Sequence, residues 1–307
     1  MISFGYKSLS LRKIDSFLEW TIRGIASIVG ILVVIITAFL IVESWPIFNK
    51  IGILAFFTDK SWNPAQGFYN LTPILVGTLL VLTGAVILAT PVGILSAFFC
   101  QYYAPPFLAS FYRRLLQLMA GFPGVIYGFW GLVVLVPLIN RLHPPGPSLL
   151  TGIIMLTLLI IPTIAITVDA TLVEIDKVYW QEAASLGLSR WGTILGVMLP
   201  AARMGVFTGV ILGIGRALGE TMLVLMVCGN VPQIPDTLFD PIRTLPANIA
   251  LEMAFALGNH RSALFVSGLL LLGVSLFLAL LAEAIAEEKH IYSVSYTHLT
   301  LPTILLV

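Results

Sequence analysis

Charged side chains are scarce in this sequence, since Asp, Glu, Lys and Arg make up only 10% of its 307 residues. A soluble domain carries roughly 25% charged residues, whereas 58% of this chain is hydrophobic. This composition excludes a protein dissolved in water and favours one surrounded by lipid. The net charge of +1 also leaves no basic face for the phosphates of nucleic acid.

Patterns typical of metal sites and of catalysis are missing as well. The two cysteines, Cys100 and Cys228, and the four histidines have no metal-ligand spacing, so we predict neither a metal nor any other cofactor. No GxxxxGK[ST] loop for nucleotide phosphates occurs, so ATP hydrolysis would have to be supplied by another chain. The sequence therefore predicts a protein that is not itself an enzyme.

Long stretches without charge are abundant, and a transmembrane helix needs roughly 20 predominantly apolar residues. Five stretches contain no charged residue and are long enough to span a bilayer. A further stretch, Met204–Gly229, is apolar and glycine-rich but contains Arg216 and Glu220. We count it as the fifth span in chain order and predict an all-α membrane protein with six transmembrane helices. The other five spans are predicted near 22–42, 70–99, 115–139, 149–170 and 262–284.

The distribution of positive charge predicts the orientation of these spans. With the N-terminus inside, ten of the sixteen Lys and Arg residues fall on the cytoplasmic side and five on the other, as the positive-inside rule requires. Both termini are then cytoplasmic. We divide the chain into a cytoplasmic segment 1–21, a transmembrane domain 22–286 and a tail 287–307. The end of this tail, 292–307, resembles translated adapter sequence, and we assign it no function.

The longest predicted inner loop, 172–200, reads LVEIDKVYWQEAASLGLSRWGTILGVMLP. Good helix formers run from Tyr179 to Leu186, Gly187 can end that helix, and Ser189 can cap the next one. Pro200 marks the return to the membrane. The pattern therefore predicts a cytoplasmic elbow of two short helices joined by a bend.

This loop resembles the signature loop of the permeases of ABC importers. The pattern Glu-Ala-Ala, glycine and Leu-Pro is filled by Glu182, Ala183, Ala184, Gly187, Leu199 and Pro200. Gly187 lies five residues after Glu182, where the family pattern has six, so in strict register Gln181 takes the glutamate position. The resemblance implies a type I ABC-importer permease fold, in which the elbow is a coupling helix that docks on a separate ATPase subunit.

Other segments resemble the PstC-type permeases of phosphate importers. These are GIGRALGETMLVLMVCGN from Gly213, LTPILVGTL from Leu71 together with Trp62, Pro64 and Gly67, AGFPGVIYGFWGL from Ala120, and ANIALEM from Ala247. The resemblance implies an inner-membrane permease that imports inorganic phosphate. Its implied partners are a second, PstA-like permease, two copies of a PstB-like ATPase and a periplasmic phosphate-binding protein.

Arg216 and Glu220 stand out because an ionisable side chain within a bilayer is costly and rarely lacks a function or a partner. Their spacing of four residues would place them on one face of a continuous helix, where they could form a structural ion pair. Alternatively, Arg216 lines the pathway and attracts an oxyanion while Glu220 orients it. We predict the second role and add Thr221, the next residue of the phosphate-permease signature, to the pathway.

Two other functions remain open from the sequence. The chain could carry another oxyanion, such as sulfate, molybdate or tungstate, through the same kind of permease. It could also be a secondary carrier driven by an ion gradient, which would need no ATPase and would leave the elbow without a role.

Overall fold

A computed structural model describes residues 5–175 and 177–288, and the C-terminal tail from residue 289 onward, including 292–307, lies outside the described residues. Helix α1 passes without interruption through the predicted boundary after residue 21. The α-helices in the described ranges are α1 (Gly5–Ile51), α2 (Ala55–Thr58), α3 (Thr72–Phe98), α4 (Pro106–Gly121), α5 (Gly124–Trp130), α6 (Val136–Leu142), α7 (Leu149–Glu174), α8 (Lys177–Ser185), α9 (Arg190–Thr193), α10 (Leu199–Ala201), α11 (Arg203–Leu218), α12 (Met222–Val227), α13 (Leu245–Glu252) and α14 (Gly258–Glu288).

Shorter elements connect these helices. In the described part of the chain, three π-helical turns adjoin α3, α5 and α9, and a two-stranded antiparallel hairpin pairs Trp62 with Tyr69. The turns are Phe99–Tyr103, Gly131–Leu135 and Ile194–Met198, and the strands are β1 (Trp62–Asn63) and β2 (Phe68–Tyr69).

The number of apolar helices agrees with the prediction of an all-α membrane protein. Within residues 5–175 and 177–288, five helices are long and apolar enough to cross a bilayer, and the number rises to six if the bent pair Arg190–Ala201 and Arg203–Leu218 is one span. The five are Leu18–Ile51, Thr72–Tyr103, Gly124–Leu142, Leu149–Glu174 and Gly258–Ala284.

The third predicted span, 115–139, is wrong in its first part. The chain forms α4, breaks at Phe122 and Pro123, and only then begins the apolar segment Gly124–Leu142. Proline has no N–H to donate and restricts the residue before it to extended conformations. Phe122 accordingly has φ −70° and ψ 133°.

The fifth predicted span, Met204–Gly229, is also wrong as a continuous helix. Helix α11 ends at Leu218, and α12 begins only at Met222. Its N-terminal end is bent by 70° relative to Arg190–Ala201. Glycine is a poor helix former, and Gly219 stands at the C-terminal end of α11. Glu220 and Thr221 therefore lie in a break and not on a helix.

The chain divides into two compact units, the first of which comprises the residues up to Leu71 and Ile249–Leu270. It contains the β1–β2 hairpin, whose Trp62 is buried. The Trp62 indole Nε1 donates a hydrogen bond to Glu252 Oε2 at 3.0 Å, and His260 Nε2 lies 2.8 Å from the same oxygen. These contacts attach the hairpin to α13 and to the start of α14.

The second unit comprises Thr72–Asn248 and the residues from Leu271 on. Helix α7 runs through its core, and small residues on α3 and α11 allow close approach. A Cβ atom on Gly93 of α3 would lie 2.7 Å from the Ile164 side chain, and one on Gly213 of α11 would lie 3.3 Å from it. Such contacts between small residues and neighbouring helices are typical of membrane bundles.

Candidate functional site

Two helix breaks of the second unit meet at the candidate site. The first is the Phe122–Pro123 break between α4 and α5, and the second is the Gly219–Thr221 break between α11 and α12. The helices that follow pack tightly, since a Cβ atom on Gly128 would lie 2.9 Å from the Leu223 Cα. Backbone groups without helical hydrogen bonds are tolerated at membrane depth only where they face protein or a cavity.

Arg216, on the last turn of α11, connects three segments at this site. Its Nη1 donates a hydrogen bond to Thr163 Oγ1 on α7 at 3.2 Å, and its Nη2 donates to the Phe122 carbonyl at 3.5 Å. The side chain is half-buried. One guanidinium therefore bridges α7, α11 and the first break, and it still has donors that these two contacts do not use.

Glu220 lies against the other side of the first break. Its carboxylate fills the space beside Gly124, so that a Cβ atom there would overlap it. The structural ion pair with Arg216, the alternative that the sequence analysis did not choose, is not formed: in residues 5–175 and 177–288 the two side chains form no ion pair. The reason is the end of α11 at Leu218, which removes the shared helix face that a spacing of four requires.

Thr221 occupies the position before the first residue of α12. It is half-buried, and its hydroxyl does not cap that helix. Together with Arg216 and Glu220 it completes the predicted group of pathway residues at the break. The structure also brings Thr163 next to Arg216 and Gly124 next to Glu220, and the sequence analysis singled out neither residue.

A signal for the missed residues was present but weak. Thr163 follows Pro162 in the middle of an apolar span, and Gly124 belongs to the segment Gly-Phe-Pro-Gly from Gly121. Glycine next to proline is turn chemistry. That pattern predicts a helix break, but only the folded chain shows which polar side chains lie against it.

The elbow has the local structure that the sequence predicts. Helix α8 covers Lys177–Ser185, Gly187 ends it with a φ of +75°, and Ser189 caps α9 by accepting a hydrogen bond from the Gly192 N–H at 3.1 Å. A positive φ favours glycine, because a side chain there costs roughly 1–2 kcal/mol. The bend is therefore built into the residue types of the loop.

The predicted coupling residues divide into an exposed set and one buried residue. Ala183 is only 3% exposed, so it packs α8 onto the rest of the chain and cannot itself contact a partner. The elbow also presents exposed apolar side chains, among them Leu186 and Trp191, which are typical of a surface covered by another protein. The exposed members of the predicted set are Gln181, Glu182, Ala184, Gly187 and Pro200.

A known family matches this arrangement. The sequence model of the family described as "Binding-protein-dependent transport system inner membrane component" matches residues 89–289, more than half of the chain. The chain belongs to this family. It is therefore a multi-pass inner-membrane transport component, as its apolar helices also indicate.

Individual members of the family cover most of the chain. The "Phosphate transport system permease protein PstC" of Pasteurella multocida is 32% identical over 84% of this chain and 87% of its own length. The protein with the same description from Mesorhizobium japonicum is 33% identical, and the match covers 86% of this chain and 85% of that protein. These similarities confirm the family resemblance predicted from the sequence motifs.

A solved structure confirms the fold. It is described as the crystal structure of a bacterial alginate ABC transporter in complex with an alginate pentasaccharide-bound periplasmic protein. One of its chains superimposes with a TM-score of 0.63 at 15% identity, and the match covers 90% of this permease and 96% of that chain. At this identity the likeness shows the fold alone, which is the predicted type I ABC-importer permease fold.

Proposed function

We propose that this permease moves inorganic phosphate inward across the membrane as one subunit of an ATP-binding-cassette importer. Its similarity to permeases described as phosphate transport proteins supports phosphate as the substrate. The observation that carries the proposal is the Arg216 guanidinium, which reaches the junction of two helix breaks and forms no ion pair with Glu220 within the described residues.

The chemistry of this junction suits a tetrahedral oxyanion. A guanidinium offers several N–H donors in a planar fork that matches phosphate oxygens. The hydroxyls of Thr163 and Thr221 add donors that carry no charge. The Glu220 carboxylate beside Gly124 supplies negative charge near the same place, which opposes tight retention of an anion. The site therefore combines an attraction for phosphate with a negative charge that limits how tightly phosphate is held.

A transport assay in cells tests the substrate. In cells without their own phosphate importers, this chain expressed with its companion subunits should restore uptake of radiolabelled phosphate. A large excess of unlabelled sulfate, molybdate or tungstate should leave that uptake unchanged. Competition by one of these anions as effective as that by unlabelled phosphate would reassign the permease to another oxyanion.

We infer that the elbow docks on a cytoplasmic ATPase subunit. Gln181, Glu182 and Ala184 are exposed on α8, and the apolar Leu186 next to the bend is 80% exposed. A short helix that offers such side chains suits a groove on a partner. The other expected partners are a second, PstA-like permease, two PstB-like ATPase subunits and a periplasmic phosphate-binding protein.

Substituting Gly187 should separate docking from folding. Gly187→Asn keeps a residue type that tolerates a positive φ, and a Cβ atom there would have no atom within 4 Å apart from those of the adjoining residues. Gly187→Asp has the same size but adds a negative charge at the proposed interface, where an unpaired charge costs on the order of 2–5 kcal/mol. We expect ATPase co-purification to be lost with Asp and kept with Asn. Equal co-purification by both variants would place the docking surface elsewhere.

The orientation of the membrane domain can be tested by thiol labelling. Both termini are proposed to be cytoplasmic, which places Ser61 and Thr237 outside and Ser189 inside. Single cysteines at Ser61 and Thr237 in a cysteine-free background should react with an impermeant thiol reagent added outside, and one at Ser189 should not. Labelling of Ser189 alone would reverse the orientation.

A further inference from the structure

The elbow helix α8 meets the rest of the permease through a narrow face. Among its described side chains from Val178 on, only Trp180 and Ala183 are not exposed. Their spacing of three residues places them on one side of the helix. The opposite side is the surface proposed above for the ATPase. Trp180 is the large side chain on the inner face. A movement of α8 would therefore displace the residues that contact Trp180.

Trp180 stacks on an aromatic side chain of the membrane bundle. Its ring centroid lies 4.6 Å from that of Tyr102, and the two ring planes differ by only 6°. Tyr102 in turn stacks on Phe98, with centroids 5.9 Å apart and planes at 28°. These three rings, which we call the ring stack, run from the elbow to the last residue of α3. Stacked rings are rigid and gain attraction beyond the area that they bury.

The middle of the ring stack is anchored to two further helices. Tyr102 belongs to the π-helical turn Phe99–Tyr103, and its neighbour Gln101 accepts a hydrogen bond from Arg113 Nη2 on α4 at 2.8 Å. Arg113 also binds Asp169 of α7 through two hydrogen bonds of 2.7 and 2.8 Å. The hydrogen bond with Asp169 raises the pKa of the Arg113 guanidinium, so the guanidinium keeps its positive charge.

The backbone that adjoins α8 at each end is not helical, so it transmits a movement of α8 to the membrane bundle poorly. Gly187 after α8 has a φ of +75° and no side chain, and Ile175 before it is extended, with φ −67° and ψ 129°. A cavity of about 410 Å³ also lies beside the elbow, lined by Gln101, Gln181 and Arg190 among others. The described contacts of α8 to the bundle include the Trp180–Tyr102 stack and the π-helical turn Ile194–Met198.

We propose that the Trp180–Tyr102 stack transmits movement of the elbow to α3 and, through the Arg113–Asp169 bridge, to α7. Helix α7 also carries Thr163, which binds Arg216 at the candidate anion site. The elbow, the ring stack, the bridge and the site thus form a continuous series of contacts. Trp180 and Tyr102 are positioning residues that touch neither phosphate nor ATP. The inference rests on the proposed docking of an ATPase at the elbow.

Variants of the purified importer test this proposal in proteoliposomes. Trp180→Leu and Tyr102→Leu each remove an aromatic ring but keep an apolar side chain. Trp180→Phe and Tyr102→Phe keep an aromatic ring at the same position. The Leu variants should retain ATPase co-purification and ATP hydrolysis. Their phosphate import per ATP hydrolysed should fall at least about fivefold, which corresponds to roughly 1 kcal/mol. The Phe variants should import nearly as wild type, and the double Leu variant should be no worse than either single variant.

Two results would overturn the role of the ring stack. One is unchanged import per ATP in Tyr102→Leu, which leaves the exposed face of the elbow intact. The other is loss of ATPase co-purification in both Leu variants, which would make the stack a support for docking. Failure of the proposed function can be distinguished from failure of this proposal, because the wild-type complex itself would then show no ATP-dependent phosphate import.

Discussion

Gly124→Ala is expected to reduce phosphate import by about 10- to 100-fold, because overpacking a close contact costs on the order of 1–3 kcal/mol. The added methyl group would overlap the Glu220 carboxylate. The carboxylate must therefore move away from Gly124 and leave its position beside the Phe122–Pro123 break, which changes the charge at the candidate site. The subunit should still insert in the membrane and co-purify with its partners, because the change is local.

Gly121→Ala is the matched control for this substitution. Gly121 lies on the other side of the same break, and a Cβ atom there would have no atom within 4 Å. The control should import phosphate at the wild-type rate and assemble to the wild-type level. Equal import by the two alanine variants would contradict a functional contact between Glu220 and Gly124. Uptake of radiolabelled phosphate, normalised to protein level in the membrane, is the measurement.

Removing the charges of Arg216 and Glu220 together should abolish import, even though the double substitution leaves neither residue as an unpaired charge. If the pair were only a structural bridge, Arg216→Gln with Glu220→Gln would be tolerated, because both members of the pair disappear together. The structure shows no such bridge within the described residues and instead joins Arg216 to Thr163 and to the Phe122 carbonyl. We expect more than tenfold loss of import, since hydrogen bonds to charged groups are worth about 1.5–3 kcal/mol.

Two further variants make this experiment specific. Arg216→Lys should retain part of the activity, because a positive charge remains while the planar fork is lost. Arg203→Gln removes an exposed arginine at the start of the same helix and should import normally. Wild-type uptake by the double variant of Arg216 and Glu220, at normal protein levels, would withdraw both residues from the transport pathway.

Local chemistry and overall hydropathy were sufficient for much of the fold. The spans around α3, α7 and α14 follow from long apolar runs, because the bilayer imposes one length on all of them. The bend of the elbow followed from Gly187 and Ser189 alone, since a positive φ and a helix cap depend on the residue itself and its near neighbours. The family resemblance then added the fold of the whole chain.

The helix breaks were not predicted, and the reason is physical. An apolar run such as 115–139 has the same hydropathy whether or not its backbone is helical throughout, so Phe122–Pro123 was placed inside a span. The pairing of Arg216 with Glu220 assumed helical geometry across Gly219, which the structure does not have. Glycine and proline mark positions where a helix can stop, but tertiary packing decides whether it does.

Contacts between residues of different helices could not be predicted from the sequence, for a different reason. The sequence around Thr163 offers only the preceding Pro162 as a signal, and nothing around Trp180 distinguishes it from other aromatic residues near membrane surfaces. Their importance arises from neighbours distant in the chain, which are Arg216 for Thr163 and Tyr102 for Trp180.

ATP-dependent phosphate accumulation in proteoliposomes tests the central claim most directly. The complex purified through a tag on this chain is reconstituted with the periplasmic binding protein, and uptake of radiolabelled phosphate is followed with and without ATP on the ATPase side. The account predicts accumulation that requires ATP and persists when ionophores collapse all ion gradients. Accumulation without ATP that the ionophores abolish would contradict it and identify a carrier driven by an ion gradient.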